Sequence, residues 1–473
     1  MKAATDPFPS GCLGSDRFRI PSLYVTRENT LLAACDARWN HGQDCAGNLE
    51  TVLARSEDGG QTWEHQFVNH FEDVIDGTDR CIFSAGFIDP IMVQDSQGLL
   101  YLLTDLCPPY VGGWGRPAVI CGQADGFHKK GLALKESSGT EGPEPEELNE
   151  ETYPYYLGEP KDGYAPVLRV RDDTPYEDYA ADQEFYLYRL RPAGPEKVMI
   201  PQLDETGRPT DHLIHANVFF AAAPLKVYPT FHIVCRTSCD DGRTWSALRM
   251  ISGQIESPGF TAVCPGRGQT CTCKGKERVL IPIYDNNLKC EYTSVLYTED
   301  QGRTWHRGSR AIPPETMENN DPVKSSETQI ITLPDGTLRM YSRSQIREIV
   351  YADSKDGGLT WTPCRPDLGL VSCGNCMVSV INYSRRVDGR PALIASYPGG
   401  DDTVYRRVNG IIAVGLIDEA TNEVDWKYHY AVNQAPFYYS CLTELPDATI
   451  ALFYEYEEFA LHLKTYTIET LTT

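Results

Sequence analysis

The sequence predicts an all-β fold, on the strength of a composition suited to short strands and a turn motif that recurs along the chain. The chain has 473 residues, of which 41% are hydrophobic and 10% aromatic, so a packed core is available. Its 39 glycines and 32 prolines suit many short strands joined by tight turns, and its 27 tyrosines favour strands.

The recurring motif has the pattern S/T-x-D-x-G-x-T-W. Its Asp side chain accepts hydrogen bonds from the backbone of the turn, and its Gly supplies the positive φ that the turn requires. We expect the Trp to pack beneath the turn in the core of its sheet. The copies lie at residues 56–63, 238–245, 298–305 and 354–361, with a degenerate fifth copy at 417–426.

The spacing of the copies predicts the domain organisation. The last three copies follow one another at intervals of 60 and 56 residues, which fits one four-stranded unit per copy. The first two copies lie 182 residues apart, so on the order of 100 residues are inserted between them. We place this β-rich insertion at residues 107–211, as a small subdomain or an elongated repeat unit. Residues 1–106 and 212–473 then form the repeat domain.

The formal net charge of −23 disfavours nucleic acid and anionic membranes as partners. An anionic ligand would therefore need a local cluster of positive charge. No apolar run of about 18 residues occurs, so we expect no membrane insertion. Residues 1–14 do not have the pattern of a signal peptide, which predicts a cytoplasmic location, or secretion with the leader absent from this sequence.

The sixteen cysteines are scattered, apart from the close pairs Cys271/Cys273 and Cys373/Cys376. The second pair is a C-x-x-C motif, but no second ligand pair accompanies it. We therefore favour free thiols in a reduced compartment over a structural zinc site, and we expect neither a metal nor a cofactor.

Seven short segments carry residues suited to chemistry. They are FRIPSL at 18–23, DARWNHGQD at 36–44, GFIDPIMV at 86–93, SSETQIITLPDGTLRMYSR at 325–343, YRRVNGIIAVGLID at 405–418, FYYSCL at 437–442 and ALFYE at 451–455. With the repeated turn, they resemble the bacterial-type exo-sialidases (neuraminidases) of glycoside hydrolase family 33, in the Asp-box (BNR repeat) superfamily. The resemblance implies a six-bladed β-propeller, with the insertion between the first and second Asp boxes and with boxes that carry no chemistry.

The resemblance also implies how the sugar is bound. Three arginines would hold the carboxylate of sialic acid: Arg19, Arg343 and Arg407. Arg406, next to the third, would point to the opposite face. Arg38 and Asp89 would lie at the 4-hydroxyl and N-acetyl side of the sugar. Guanidiniums suit a planar carboxylate better than Lys because they present paired donors and stay charged, and they would supply the positive charge that the chain lacks overall.

The catalytic roles follow from the same resemblance. Tyr439 would be the nucleophile, with Tyr438 as the alternative, and Glu327 the base that activates it. Asp44 would be the acid/base, with Asp36 as its competitor, and Glu455 would orient Arg19. From the residues themselves, the PDG turn predicts a hairpin that brings Glu327 and Arg343 to one end. A neutral tyrosine also avoids the repulsion that a carboxylate nucleophile would meet at an anionic sugar.

The predicted function is that of a retaining exo-α-sialidase, which cleaves terminal sialic acid from sialylated glycans through a covalent sialyl-tyrosine intermediate. An intramolecular trans-sialidase that releases 2,7-anhydro-sialic acid, or a transfer enzyme, would use the same residues. A hydrolase for the deaminated sugar and a non-catalytic Asp-box binding module are further alternatives. The linkage preference and the oligomeric state are not readable from the sequence.

The difference between hydrolysis and transfer would lie in the walls near the leaving group. Candidate wall residues in the insertion are Trp114, Tyr153, Tyr155 and Tyr156. Packing within the insertion is an equally good interpretation of these aromatic side chains.

Overall fold

The computed structural model describes residues 5–39, 42, 44, 48–71, 85–109, 111, 122, 124–137, 146–204, 206–255, 260–286, 291–312, 324–401 and 405–473. Over these residues the fold is all-β, with strands joined mainly by antiparallel pairing. The short elements outside the sheets are 3-10 turns at Cys12–Gly14 and Ser252–Gln254 and one C-terminal helix, α1, at Ile468–Leu471. Among the described helices, none has the length and apolar character needed to cross a membrane.

The first strands pair antiparallel in sequence order, β1 to β4. They are β1 (Arg17–Val25), β2 (Leu31–Arg38), β3 (Leu49–Ser56) and β4 (Glu64–Asn69). Two more strands follow, β5 (Gly86–Gln94) and β6 (Leu100–Cys107). A single parallel pair, Leu49 with Gly86, joins β3 to β5, so these strands belong to one nine-stranded sheet.

The chain then enters the insertion, which has its own sheets. Its strands are β7 (Phe127–His128), β8 (Gly131–Glu136), β9 (Tyr155–Leu157), β10 (Ala165–Arg169), β11 (Pro175–Ala181), β12 (Leu187–Arg191), β13 (Gly194–Lys197), β14 (Met199–Leu203), β15 (Pro209–His215) and β16 (Leu225–Val227). Strands β14 and β15 form a hairpin, and the other eight form one sheet. The last of these strands, β16, lies beyond residue 211 and pairs with β8.

The chain returns to the first sheet at β17 (His232–Ser238), which pairs with β6, followed by β18 (Arg249–Met250). A five-stranded sheet contains β19 (Phe260–Val263), β21 (Gln269–Cys273), β22 (Lys276–Asn286), β23 (Glu291–Thr298) and β24 (His306–Arg307). Between β19 and β21, the short strand β20 (Gly266–Arg267) pairs parallel with β5.

Three sheets complete the chain. They consist of β25 (Thr328–Thr332), β26 (Leu338–Ser342), β27 (Glu348–Ser354) and β28 (Arg365–Val371); then β29 (Ser379–Val387), β30 (Arg390–Pro398), β31 (Gly410–Ile417) and β32 (Val424–Ala431); then β33 (Ser440–Glu444), β34 (Ile450–Glu457) and β35 (Ala460–Tyr466).

The hydrophobic core lies between successive sheets, and it closes into a ring. Residues of β5, β6 and β17 pack on β22 and β23. The opposite face of β22 and β23 packs on β26 and β27. In the same way, β25 to β27 pack on β29 to β31. The last sheet packs on β29 to β31 at one face, and on β1 to β3 at the other, where Phe18 and Val52 meet Phe453 and Leu463. Because first and last sheets are in contact, the arrangement is propeller-like.

The repeated motif forms a hairpin turn, as the sequence predicts, and the four copies connect the antiparallel pairs β3–β4, β17–β18, β23–β24 and β27–β28. In the first copy, Asp58 accepts hydrogen bonds from the backbone N–H of Thr62 at 2.9 Å and from its hydroxyl at 2.7 Å. The copies at Asp240, Asp300 and Asp356 repeat these bonds. The expectation that each Trp lies in the core holds for Trp305, whereas the Trp side chains of the other three copies are half-buried.

Candidate active site

The residues that the sequence singles out come from strands far apart in the chain and meet at the centre of the ring. Arg19 lies on β1, Asp36 and Arg38 on β2, Asp89 on β5 and Glu455 on β34. Glu327 immediately precedes β25 and Arg343 immediately follows β26. The predicted hairpin is confirmed, because Thr328 pairs with Ser342 and the N–H of Arg343 donates to the Glu327 carbonyl at 2.8 Å.

Tyr439 lies at the centre of this group, with 5% of its surface exposed. Its hydroxyl donates a very short hydrogen bond to Glu327 Oε1 and accepts one from Arg343 Nη1 at 2.7 Å. The same Nη1 donates to Glu327 Oε2 at 2.7 Å. Burial and the Glu327 carboxylate raise the pKa of Tyr439, and the guanidiniums of Arg343 and Arg407 oppose that shift. The phenol is therefore protonated in the ligand-free site, with a proton acceptor and a cation already in contact.

Two further arginines flank the Tyr439 ring. The guanidinium carbon of Arg19 lies 5.7 Å from the ring centroid and that of Arg407 lies 5.2 Å from it. Arg19 is held by Glu455, which accepts from its Nε at 3.2 Å and from its Nη2 at 3.3 Å. Arg406 turns away to the surface and pairs with Asp401 at 2.9 Å. Three guanidiniums thus meet at one tyrosine, in a chain whose net charge is −23.

Tyr438, the alternative nucleophile, is half-buried, and its backbone N–H donates to the carbonyl of Glu455. Burial and the carboxylates of Glu458 and Glu455 raise its pKa. Its side chain has no hydrogen bond to Glu327 among the described residues.

Asp44 and Asp36 differ in how far their side chains are exposed to solvent. The Asp44 side chain is 31% exposed, whereas that of Asp36 is fully buried. Arg38 lies between them and donates from Nη1 to Asp44 and from Nη2 to Asp36 at 2.9 Å. Burial opposes the ionisation of Asp44, but the charges of Arg38 and Arg19 outweigh it and lower its pKa. For Asp36 burial outweighs Arg38 and raises the pKa to about 7.

Asp89 and Ile20 share an unusual backbone conformation. Each precedes a proline at a break in strand register, and their φ angles are 62° and 61°. Positive φ is uncommon for any residue with a side chain and costly for a β-branched one, so surrounding contacts must hold it in place. The N–H of Asp89 donates to Asp36 Oδ1 at 3.2 Å, and that of Ile20 donates to Glu455 Oε1 at 2.9 Å.

Sequence reasoning missed one polar residue of the site, Asn375. Its Oδ1 accepts from Nε and Nη2 of Arg343 at 3.1 and 2.9 Å, and its carbonyl accepts from Nη2 of Arg407 at 2.9 Å. The only signal in the sequence was the C-x-x-C motif around it, which we interpreted as free thiols in preference to a zinc site.

The candidate wall residues do not gather at this site. Tyr153 is buried against Tyr228 with ring centroids 5.2 Å apart, and Tyr155 stacks on Tyr176 at 4.0 Å. The hydroxyl of Tyr156 donates to Asp173 at 2.7 Å. All of these partners lie in the insertion or at its end, so packing explains the three tyrosines. Trp114 lies outside the described residues.

Fold and site together define an Asp-box protein in which a ring of sheets presents three guanidiniums, a buried Tyr–Glu pair and a partly exposed Asp. The chain belongs to the BNR repeat-like domain family, whose model matches residues 212–454, and within it to the sialidases. It is 31% identical to a sialidase of Paraclostridium sordellii over 93% of this chain and 81% of that protein.

Two further comparisons place the chain among these relatives. It is 30% identical to the anhydrosialidase of Macrobdella decora over 95% of this chain, but it spans only 60% of that protein's length. The solved structure of an intramolecular trans-sialidase from Ruminococcus gnavus, in complex with oseltamivir carboxylate, superposes with a TM-score of 0.82. That match has 29% identity and covers 99% of this chain and 98% of the other.

Proposed function

We propose that the protein is an exo-α-sialidase that cleaves terminal sialic acid from sialylated glycans through a covalent sialyl-tyrosine intermediate. The observation that carries the proposal is the position of the Tyr439 hydroxyl, between Glu327 and Arg343, with Arg19 and Arg407 beside its ring. A non-catalytic binding module would have no use for a base aimed at a buried phenol.

In this proposal the three arginines bind the carboxylate on the anomeric carbon. Four of the five N–H donors of Arg343 are already used, by Glu327, Tyr439 and Asn375. The remaining donor, with those of Arg19 and Arg407, is available to the ligand. A carboxylate held by these groups would place the anomeric carbon next to the Tyr439 oxygen.

Tyr439 then attacks the anomeric carbon. Its proton passes to Glu327 along the existing hydrogen bond, and the developing phenolate is stabilised by Nη1 of Arg343. Charge is therefore created on the nucleophile only as the bond forms. The new bond joins the tyrosine oxygen to the sugar, and the glycosidic oxygen departs.

Asp44 is the residue we assign to protonate that oxygen and, in a hydrolytic second step, to deprotonate the incoming water. Its exposure favours it over Asp36, which is fully buried beneath Arg38 and is bonded to the N–H of Asp89. Asp89 would face the 4-hydroxyl or N-acetyl side of the sugar, and Arg38 would support that side from below by holding Asp36 and Asp44.

The second step has two candidate outcomes. Attack by water releases sialic acid with retention, which the sequence predicts. Attack by the sugar's own O7 releases 2,7-anhydro-sialic acid, and similarity to an anhydrosialidase and to an intramolecular trans-sialidase favours this route. A local feature also supports it: the Phe459 ring lies so close to Gly42 that a Cβ there would meet it at 1.8 Å. An apolar ring against the Asp44 loop would limit the approach of water.

We also propose that the ring contains six blades. The nine-stranded sheet would count as two blades, β1 to β4 and β5, β6, β17 and β18, joined at the Leu49–Gly86 pair. The sheets that begin at β19, β25, β29 and β33 would be the other four. The insertion would then be a β-rich subdomain carried between the second and third strands of the second blade.

The proposal is tested with 3′- and 6′-sialyllactose, with the released sugar identified by NMR. Free sialic acid supports hydrolysis and the 2,7-anhydro sugar supports intramolecular transfer. Release of neither, with a deaminated analogue included in the panel, would contradict the proposal.

The site assignment is tested by substitution and by labelling. Tyr439→Phe should lose most turnover, and Asp44→Ala about 10²–10⁴-fold, on an aryl sialoside. Tyr438→Phe is the matched control and should retain activity. A 3-fluoro-sialosyl fluoride should add one sugar mass to the peptide that contains Tyr439. Near-native activity of Tyr439→Phe and Asp44→Ala, or a label elsewhere, would overturn the assignment.

A further inference from the structure

The C-x-x-C segment, which the proposed mechanism does not use, forms a tight turn beneath two of the site's arginines. Gly374 and Asn375 both have left-handed backbone conformations, with φ angles of 74° and 51°. The N–H of Asn375 donates to the carbonyl of Ser344 at 2.6 Å, and the N–H of Cys373 donates to the carbonyl of Pro398 at 2.9 Å. The turn is therefore anchored to the strand ends next to Arg343 and to β30.

The two cysteines close this turn. Both are nearly fully buried, at 1% and 2% exposure, and the Cys373 thiol donates to the carbonyl of Gly374 at 3.1 Å. The Cys376 thiol also reaches the carbonyl of Tyr438, with a sulfur–oxygen distance of 3.7 Å. The turn is thus tied to the backbone next to Tyr439 as well.

Asn375 connects this turn to both arginines. Its side-chain oxygen accepts two hydrogen bonds from the fork of Arg343, at 3.1 and 2.9 Å, and its carbonyl accepts one from Arg407 at 2.9 Å. One residue therefore determines how far apart two guanidiniums lie and which edges they turn to the ligand.

Asn375 is a neutral partner for its arginines, whereas Glu455 is a charged one. Glu455 holds Arg19 with a carboxylate, whereas Asn375 holds Arg343 and Arg407 with neutral oxygens. Over the part of the chain that the structure describes, Arg407 forms no ion pair. A neutral partner orients a guanidinium without cancelling its charge, so Arg343 faces no carboxylate beyond Glu327 and the charge of Arg407 stays available to an anionic ligand.

We propose that Asn375 is a positioning residue, which sets the spacing of Arg343 and Arg407 and adds no negative charge that would compete with the ligand's carboxylate, with the buried thiols of Cys373 and Cys376 holding its turn in shape. This inference rests on the proposed function, because it assumes a ligand with a carboxylate. It explains why an amide occupies a position where an isosteric carboxylate would bond the same donors more strongly.

The test compares two ligands that differ only in charge: 2-deoxy-2,3-didehydro-sialic acid and its carboxamide. Wild type should bind the acid more tightly than the amide. Asn375→Asp, which adds a carboxylate to Arg343, should weaken the acid about ten- to a hundredfold, the range expected for a hydrogen bond to a charged group. Its affinity for the carboxamide should change little. A merely structural defect would weaken both ligands alike, so calorimetric titration with both separates the two explanations.

Asn375→Gly is the second variant, because glycine tolerates the left-handed backbone and the substitution removes the side chain that bonds Arg343 while keeping the carbonyl that bonds Arg407. It should also lower the ratio of acid to amide affinity, by less than Asn375→Asp. The matched control is Asn422→Asp, at a left-handed position (φ 61°) in the turn between β31 and β32, which should leave the ratio unchanged. An unchanged ratio in both Asn375 variants would overturn the inference. Failure of wild type to prefer the acid would contradict the proposed function itself.

Discussion

Glu455 offers the most direct test of how the arginine site is held. It is fully buried on β34, and its carboxylate accepts from Nε and Nη2 of Arg19 at 3.2 and 3.3 Å. It also accepts from the backbone N–H groups of Ile20 at 2.9 Å and Tyr439 at 3.4 Å. Glu455→Gln keeps the shape but replaces one acceptor with a donor that faces the guanidinium. Arg19 would lose its bidentate partner and Ile20 the contact that holds its positive φ.

The expected loss of stability follows from the burial of this pair. Breaking a buried ion pair by removing one partner costs about 3–5 kcal/mol. Arg19 is 13% exposed and keeps a contact with Asp44 at 3.4 Å, so we expect the lower end, about 3 kcal/mol. An unfolding entropy of about 2.1 cal/mol/K per residue gives about 1 kcal/mol/K for this chain, and hence a Tm lower by about 3 °C.

The assay combines Tm with kinetics on a fluorogenic sialoside. Asp353→Asn is the matched control, because Asp353 pairs in the same bidentate way with the buried Arg339, at 2.7 and 2.9 Å, outside the site. Both variants should lower Tm by similar amounts, but only Glu455→Gln should raise KM, about tenfold or more. A wild-type KM in Glu455→Gln, or an equal rise in Asp353→Asn, would refute the reasoning.

Three further predictions concern Asp36, Asp44 and Phe459. The pKa of Asp36 is about 7 in the folded protein and about 3.9 in the unfolded chain. The folded state therefore binds the Asp36 proton more tightly, and this stabilises the fold fully below pH 4. The stabilisation is lost as the pH rises to 7. The Tm of Asp36→Asn relative to wild type should therefore rise between pH 4.5 and pH 8, and a constant difference would contradict this. The alkaline limb of the pH profile of kcat/KM reports Asp44 in the free enzyme, and that of kcat reports Asp44 in the substrate complex. The limb of kcat/KM should therefore lie at the lower pH. Coincident limbs would argue against Asp44 as the acid. Phe459→Ala should increase the share of free sialic acid among the products measured by NMR, and an unchanged share would remove Phe459 from the argument.

The parts of the fold that the sequence predicts well are those set by local chemistry. Each Asp box carries its own hydrogen-bonding groups within eight residues, so its turn forms wherever the motif occurs. The Glu327–Arg343 hairpin is equally local, because a PDG turn between two apolar runs fixes the pairing of Thr328 with Ser342. Both predictions are confirmed.

The site itself depends on contacts between distant parts of the chain, and local sequence patterns do not predict which of these residues pair. Glu455 and Arg19 are separated by 436 positions, and nothing local in ALFYE indicates that its Glu is fully buried. That pairing was expected only from the family resemblance. The roles of the predicted residues stay predictions, although the structure brings Arg19, Arg343, Arg407, Glu327 and Tyr439 together.

Where no family resemblance applied, the sequence alone could not decide the role of a residue. Asn375 lies in a C-x-x-C motif that we interpreted as free thiols, whereas its contacts are with arginines supplied by other segments. The tyrosines of the insertion suit a binding wall and a packed sheet equally well in composition. Contacts in the structure distinguish the two, such as the pairing of β9 with β10 and the stacking of Tyr155 on Tyr176.

The electrostatics of the ligand-free site also suggest how Asp44, whose pKa is lowered, could serve as the acid that we propose. Asp44 is kept ionised by Arg38 and Arg19 while the site is empty. A bound carboxylate would pair with Arg19 and cancel part of its charge, whereas Arg38 is already shared with Asp36. With less positive charge beside it and less water around it, Asp44 would bind a proton more readily. The ligand's carboxylate would thus both anchor the sugar and raise the pKa of Asp44, the residue that we propose as the proton donor to the leaving oxygen.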